Sequence, residues 1–383
     1  MATTFSEIQT LFHSMPLTKY EIPEGLEAEW LKIAVSDYEL NIGCDLRYNS
    51  NERAFGECLN TTVWDSRSGK SIADGGKMKI VVTGATGFVG KWLVAELLKQ
   101  GDEVTVVVRD EKRIPNGWRD SVYVVEAEAQ TLFRLEKKDF PWDHADIFFH
   151  LAWAGTAGME RADTILQLQN VHTTCDAVRL SKRLGCGRFV NAGSIMEYEA
   201  IQYIAIDGSI PDMRNIYSTA KVAADFMAKT VAVKEEVFYI NVIISNIYGV
   251  GEKSPRFLNT TLRKMLRNEK IELTHGRQYY DFIYVTDAVK QIVLAGKQGK
   301  VNSVYYIGNA QQRPLKEFVV EMKQVLHSDS ELMFGKIPFS GAMLTYKEFD
   351  TSKLEKMGFA PEVPFAEGVK LTGEWMLEKA YAY

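Results

Sequence analysis

From residue 78 onward, apolar positions fall into short β-branched runs that alternate with stretches of helical period. Residues 79–83, 103–109, 147–152, 188–192 and 238–245 read as strands, and residues 90–100, 162–184 and 217–234 read as amphipathic helices. Strand, helix, strand at this rhythm predicts an α/β, doubly wound parallel sheet, which binds ligands beyond the carboxyl ends of its strands. Before residue 78 the pattern is different. Residues 4–13 and 26–41 have roughly helical spacing, residues 45–60 are polar and irregular, and residues 66–77 (SRSGKSIADGGK) have the small, glycine-rich chemistry of a linker. The expected organisation is an N-terminal extension over residues 1–77, a dinucleotide-binding domain over 78–245 plus 279–308, and a smaller C-terminal substrate domain over 246–278 plus 309–383.

Charge sharpens that boundary. Residues 1–77 carry twelve Asp/Glu against seven Lys/Arg, whereas the remainder carries 38 of each. A net charge of -5 without a basic run offers nothing to neutralise a phosphate backbone, so nucleic acid is not an expected partner. The four cysteines, Cys44, Cys58, Cys175 and Cys186, form no C-x-x-C pair, and the six histidines lack ligand spacing, so no metal site is expected. There is no signal-peptide pattern and no apolar stretch near the roughly 18 residues of a membrane span, so a cytoplasmic protein is expected.

The strand KIVVTG runs into Gly84-Ala85-Thr86-Gly87-Phe88-Val89-Gly90 and then into a helix. A G-x-x-G-x-x-G loop at a strand-to-helix turn suits a pyrophosphate. Gly84 permits the turn, Gly87 lets the backbone approach the anion, Gly90 packs helix on strand, and the helix N-terminus offers free N–H groups. NAD-binding members of this fold close the second strand with a carboxylate on the ribose 2'-hydroxyl. Here that position is Val108, followed by Arg109, which favours NADP over NAD because a guanidinium can pair with a 2'-phosphate. Asp110 lies one step away, and a shift of register by one residue reverses the preference.

Tyr217 and Lys221 lie four apart at the start of a predicted helix, hence on one face, about 130 residues after the glycine loop. A Tyr-x-x-x-Lys pair is expected by chance in a chain with seventeen tyrosines, but this one follows a strand ending in Ser194. Such a trio fits proton transfer. The ammonium would lower the phenol toward working pH, Tyr217 would pass a proton to or from a sugar hydroxyl or keto oxygen, and Ser194 would hydrogen-bond that oxygen. Lys221 would also steady the nicotinamide ribose.

Together these residues resemble the extended short-chain dehydrogenase/reductases, specifically the NAD-dependent epimerase/dehydratase group that modifies nucleotide sugars on a Rossmann fold. The resemblance covers nearly all of residues 78–383. HLAW (150–153) resembles the family's HLAA beside the cofactor, and Asn170 matches its central asparagine. SNIYGVG (245–251) resembles NxYGPG, YYDFIYVTDA (279–288) resembles RDFIYVDDA, VYYIGNAQQRPLKEFV resembles the segment that follows, and DTSKLEKMGFAP resembles a C-terminal motif. The resemblance implies that Leu151 and Ala152 line the cofactor, and that Asn246 and Gln278 lie in the nucleotide-sugar pocket with Arg256 and Phe257 nearby. It also implies a homodimer joined through helices 162–184 and 217–234.

The departures narrow the chemistry. Dehydrating members carry Thr-Asp-Glu where this chain has Ser194-Ile195-Met196, which removes the acid and base of 4,6-dehydration. The arginine of RDF is Tyr280, the arginine three residues before the NxYG asparagine is Ile243, and Glu126 and Glu128 flank an alanine where one acidic residue is expected. The favoured expectation is an NADPH-dependent reductase of a nucleotide-linked 4-keto-6-deoxyhexose, since an enzyme that consumes its hydride must exchange cofactor. The alternatives are a 4-epimerase with resident NAD and a non-catalytic NAD(P)-binding regulatory protein.

Overall fold

The computed structural model describes residues 77–380 except Ile206, Ser209 and residues 340–343 and 345–348. The two helices expected within the extension lie outside the described residues.

Seven strands form one parallel sheet: β1 (Lys79–Thr83), β2 (Glu103–Val108), β3 (Val122–Glu126), β4 (Ile147–His150), β5 (Arg188–Ser194), β6 (Phe238–Ile244) and β11 (Ser303–Ile307). Their spatial order is β3-β2-β1-β4-β5-β6-β11, with every neighbouring pair parallel. Strand order reverses at β1, which pairs with β2 on one side and β4 on the other, and this opens a crevice at the carboxyl ends of β1 and β4.

The strands are apolar on both faces, and the period of two explains why. Ile80 and Val82 point into one core with Val104 and Val106, against α1 (Phe88–Lys99) and α6 (Val285–Gln298). Val81 points into the other with Phe148 and Phe189, against α2 (Thr164–Arg183) and α4 (Asn215–Lys234). Asp163 starts α2 by accepting hydrogen bonds from the backbone N–H of Ile165 and Leu166, both 3.0 Å. At the far end of the sheet the buried Arg188 donates to the carbonyls of Gly296 and Gly299, at 3.3 and 2.7 Å, and so completes the C-terminus of α6.

Most element boundaries differ from the sequence pattern by one or two residues. Helix α1 starts at Phe88 instead of residue 90, α4 starts at Asn215 instead of 217, and β5 runs past the apolar run 188–192 to end at Ser194. Helix α3 (Met196–Ala205) was not among the expected elements; it lies between Ser194 and α4.

After β6 the chain leaves the sheet through β7 (Asn246–Tyr248), which pairs with β10 (Phe282–Tyr284). Between them come α5 (Phe257–Leu266), β8 (Ile271–Leu273) and β9 (Tyr279–Tyr280). Following β11, the chain forms β12 (Arg313–Pro314), α7 (Leu315–Val325), β13 (Leu332–Phe334), α8 (Ser352–Lys356) and α9 (Phe365–Ala380). Pairing of β8 with β13 and of β9 with β12 draws the segment 257–280 against the C-terminal residues. Phe282, Phe318 and Phe365 pack there with ring centroids 4.8–5.7 Å apart.

Candidate active site

A cavity of about 250 Å³ opens at the crevice between β1 and β4. Its lining includes Gly84, Thr86, Gly87, Val108, Arg109, Leu151, Ala152 and Asn170. Gly84 has φ +72°, and a Cβ there would lie 2.6–2.8 Å from the backbone of Leu151 and Ala152. A Cβ on Gly90 would lie 2.1 Å from the Gly84 carbonyl oxygen, so helix and loop are in backbone contact. Gly87 precedes α1, and no side chain caps that helix, so its first-turn N–H groups are available to an anion. Phe88, Val89 and Gly90 form the first turn of α1 and do not line the cavity.

Asn170 acts on the opposite wall. Its side chain accepts from the Ala154 N–H at 3.0 Å and donates to the Ala154 carbonyl at 2.9 Å, which fixes the loop after β4. Arg113 joins Arg109 in the lining, while the Asp110 carboxylate is turned away and accepts from the Lys112 N–H at 2.9 Å. Glu128, not Glu126, lines the same wall. Two guanidiniums at the end of β2, where the Asp110 carboxylate is turned away, suit a 2'-phosphate, and the whole cradle fits a dinucleotide.

The Ser194 side chain, at the end of β5, lies beside Tyr217, on α4, close enough to lower its hydroxyl. Burial pushes the Tyr217 hydroxyl above its usual range; Ser194, Arg256 and Arg161 pull it back down. The Lys221 ammonium donates to the Ala192 carbonyl at 2.7 Å and sits 3.6 Å above the centre of the Trp153 ring. Burial lowers its pKa, with Glu197 and Asp225 acting in the opposite direction. Tyr217 is therefore raised overall, contrary to the expected depression, and the contributions that oppose burial come from Ser194, Arg256 and Arg161.

Trp153 connects the trio to the cavity. It lines the cavity wall, meets Tyr217 edge-on at 6.0 Å, and donates its indole N–H to Gln167 at 2.9 Å. A buried polar network lies beneath Lys221. Glu197 accepts from the Ser194 N–H at 2.7 Å and from Asn241 at 3.5 Å, Asn191 donates to Asn241 at 3.0 Å, and Tyr239 donates to Asp225 at 2.9 Å. Burial raises the Glu197 carboxyl strongly. His150, held by Thr83 at 2.8 Å, is pushed down to about 3, first by burial and then by Lys221, so it is neutral at ordinary pH.

A second, smaller cavity is lined by Asn246, Arg256, Phe257 and Tyr280, among others. Asn246 donates its side-chain amide to the Asp281 carbonyl at 3.2 Å. Gln278 is not brought to this cavity; it is buried and donates to Thr274 at 2.8 Å.

Arg113, Trp153, Glu197 and Arg161 are thus site residues that the motifs did not single out for these roles. Arg113 had a local signal, lying four residues past Arg109 beyond a strand end, and Trp153 closes the HLAW motif. The others come to the site through tertiary packing. Among the described residues no group of three His, Cys, Asp or Glu could hold a metal ion, and no helix is long and apolar enough to cross a membrane.

Comparison with known proteins is consistent with this geometry. CDP-abequose synthase of Salmonella muenchen is 26% identical over 300 residues, covering 76% of this chain and 96% of that protein. The crystal structure of UDP-glucose 4-epimerase from Thermotoga maritima with UDP-glucose superposes with a TM-score of 0.65 at 21% identity, covering 79% of this chain and 100% of that one. The Bordetella bronchiseptica enzyme WbmF in complex with NAD+ superposes with a TM-score of 0.63 at 20% identity, over 80% of this chain and 94% of its own. The model of the NAD-dependent epimerase/dehydratase family matches residues 80–308, more than half of the sequence, and the chain belongs to that family.

Proposed function

We propose that this chain is an NADPH-dependent reductase of a nucleotide-linked 4-keto-6-deoxyhexose. The observation that carries the reading is the end of β2, where Val108, Arg109 and Arg113 line the cavity and the Asp110 carboxylate does not; the carboxylate in the lining, Glu128, comes from the segment after β3. Arg109 and Arg113 hold the 2'-phosphate, the glycine loop and the start of α1 hold the pyrophosphate, and Leu151 and Ala152 line the wall beside them. When bound, the dinucleotide supplies a hydride to the sugar carbon.

Tyr217 donates its proton to the keto oxygen as that oxygen gains charge, Ser194 hydrogen-bonds the same oxygen, and Lys221 orients the ribose. Ile195 and Met196 bring no acid to this point, and the Glu197 carboxyl is directed to the Ser194 N–H and Asn241, so elimination of water is disfavoured. Asn246, Arg256 and Phe257, in the proposed substrate domain, receive the nucleotide sugar. Helices α2 and α4 pack on each other yet leave Ile165, Leu168, Phe226 and Met227 exposed, an apolar face suited to a second copy.

The test is the nucleotide released on denaturing the freshly purified protein, together with its binding of NADPH and NADH. An empty site that binds NADPH well and NADH poorly, and oxidises NADPH with a nucleotide-linked 4-keto-6-deoxyhexose, is the expected result. Tightly held NAD would instead select the 4-epimerase, a reading favoured by the likeness to the Thermotoga protein.

A further inference from the structure

Arg161 lies in the short 3-10 turn Gly158–Ala162, between β4 and α2, and no sequence motif marks it. Its guanidinium carbon is 4.4 Å from the centre of the Tyr217 ring. Its Nε is buried without a hydrogen-bond partner, and among the described residues it makes no ion pair. Guanidinium donors buried without acceptors are rare, since each unmade hydrogen bond leaves the cost of desolvation standing.

The turn that presents Arg161 is tied down from both sides. Gln167, fully buried on α2, donates to the carbonyls of Gly155 and Glu160 at 3.0 and 3.1 Å, and the Asp163 N–H donates to the Glu160 carbonyl at 3.2 Å. The arginine is therefore placed by its surroundings. Burial lowers its pKa, Tyr217 and the Glu199 carboxylate oppose that shift, and Arg256 and Arg214 are near enough to add to it. Arg256 itself lines the second cavity opposite Tyr280, the position at which the family's motif carries an arginine.

We infer that Arg161, with Arg256 beside it, binds an oxyanion of the substrate next to Tyr217. The inference rests on the nucleotide-sugar reading and adds to it a recognition element from the β4–α2 turn. Two substrate groups have this chemistry: the diphosphate and, on a nucleotide-linked sugar other than the 6-deoxyhexose proposed above, a carboxylate on the sugar ring. Both lie within one sugar ring of the hydroxyl or keto group that Tyr217 serves, and both match the planar fork of a guanidinium.

The experiment is calorimetric titration of the full chain, saturated with its preferred dinucleotide, using UDP, UDP-glucose, CDP-glucose and UDP-glucuronate. Wild type is compared with Arg161→Gln and Arg161→Lys. Loss of a charge-assisted pair should weaken binding by roughly 10- to 100-fold in Arg161→Gln, with partial recovery in Arg161→Lys and unchanged dinucleotide affinity. A loss shared by UDP and the neutral sugars identifies the diphosphate; a loss confined to UDP-glucuronate identifies the carboxylate. Unchanged affinity for every probe that wild type binds overturns the inference, as does an equal loss of dinucleotide affinity, which marks a role in the turn alone. A wild type that binds dinucleotide but none of the four probes, nor dTDP-glucose or GDP-mannose titrated in the same way, rejects the nucleotide-sugar reading itself.

Discussion

The two ends of the candidate site are built in different ways. On the dinucleotide side, the cavity is shaped by main chain: Gly84 and Gly90 bring loop, helix and the β4 end into backbone contact, and Asn170 fastens the opposite wall through the Ala154 peptide. On the side of Tyr217, the site is shaped by side chains from separate segments: Ser194 on β5, Trp153 and Arg161 from the β4–α2 connection, and Arg256 ahead of α5. Backbone sites tolerate little variation, because a single methyl group collides with atoms that cannot turn away. Side-chain sites can be rebuilt by exchanging one residue for another, as Tyr280 and Arg256 illustrate, and that is where members of one fold diverge in substrate.

Substitutions on the two sides should therefore fail in different currencies. The largest expected effect is on turnover: Tyr217→Phe removes the proposed proton donor and should lower kcat by about 10²–10⁴-fold while dinucleotide affinity stays within about twofold. A dinucleotide affinity that fell with kcat would mean that the two sides are not separable.

Next is Gly84→Ala, which puts a side chain at φ +72° and within 3 Å of the Leu151 backbone. The left-handed backbone alone costs about 1–2 kcal/mol before the collision is counted, so thermal denaturation should show a lowered Tm, and dinucleotide binding should be lost. Retention of wild-type binding would show that the loop is not the cradle described.

Arg109→Ala and Arg113→Ala should each weaken NADPH by roughly 10-fold and leave NADH within about threefold, read by fluorescence titration. Equal losses for both dinucleotides would place the arginines elsewhere than on the 2'-phosphate.

The smallest effect is a displaced pH profile in Glu197→Gln. Glu197 raises the pKa of Lys221 against the downward pull of burial. Removing the carboxyl charge lets Lys221 deprotonate at lower pH, so the alkaline limb of kcat/KM should move to lower pH. The amide can still accept from the Ser194 N–H, which separates the charge effect from loss of that hydrogen bond. A limb that stays in place, or moves up, would detach Glu197 from Lys221.

The same contrast explains what could be read along the chain. The glycine loop is contiguous, and Tyr217 and Lys221 are one helical turn apart, so their geometry follows from local structure. The parallel sheet follows from apolar strands alternating with helices, because both faces must be covered. Arg161 is 56 positions from Tyr217, and no periodicity connects them. Glu197 sits in a helix the pattern did not reveal: MEYEAIQYIA has an acidic residue at an inward position, which reads as solvent-facing until the buried Asn241 and Ser194 N–H opposite it are known. Gln278 shows the converse, since a motif position does not say which way an amide turns when Thr274 offers a nearer partner.

Trp153 gives this chain a built-in optical reporter. Its indole is in van der Waals range of an ammonium, meets a tyrosine ring edge-on and forms part of the cavity wall. Emission from such a ring responds to the local electric field and to energy transfer, so docking of a reduced nicotinamide should quench it selectively. Comparison with Trp153→Phe would isolate that signal from the other tryptophans, and stopped-flow traces could then time cofactor arrival and departure without any label.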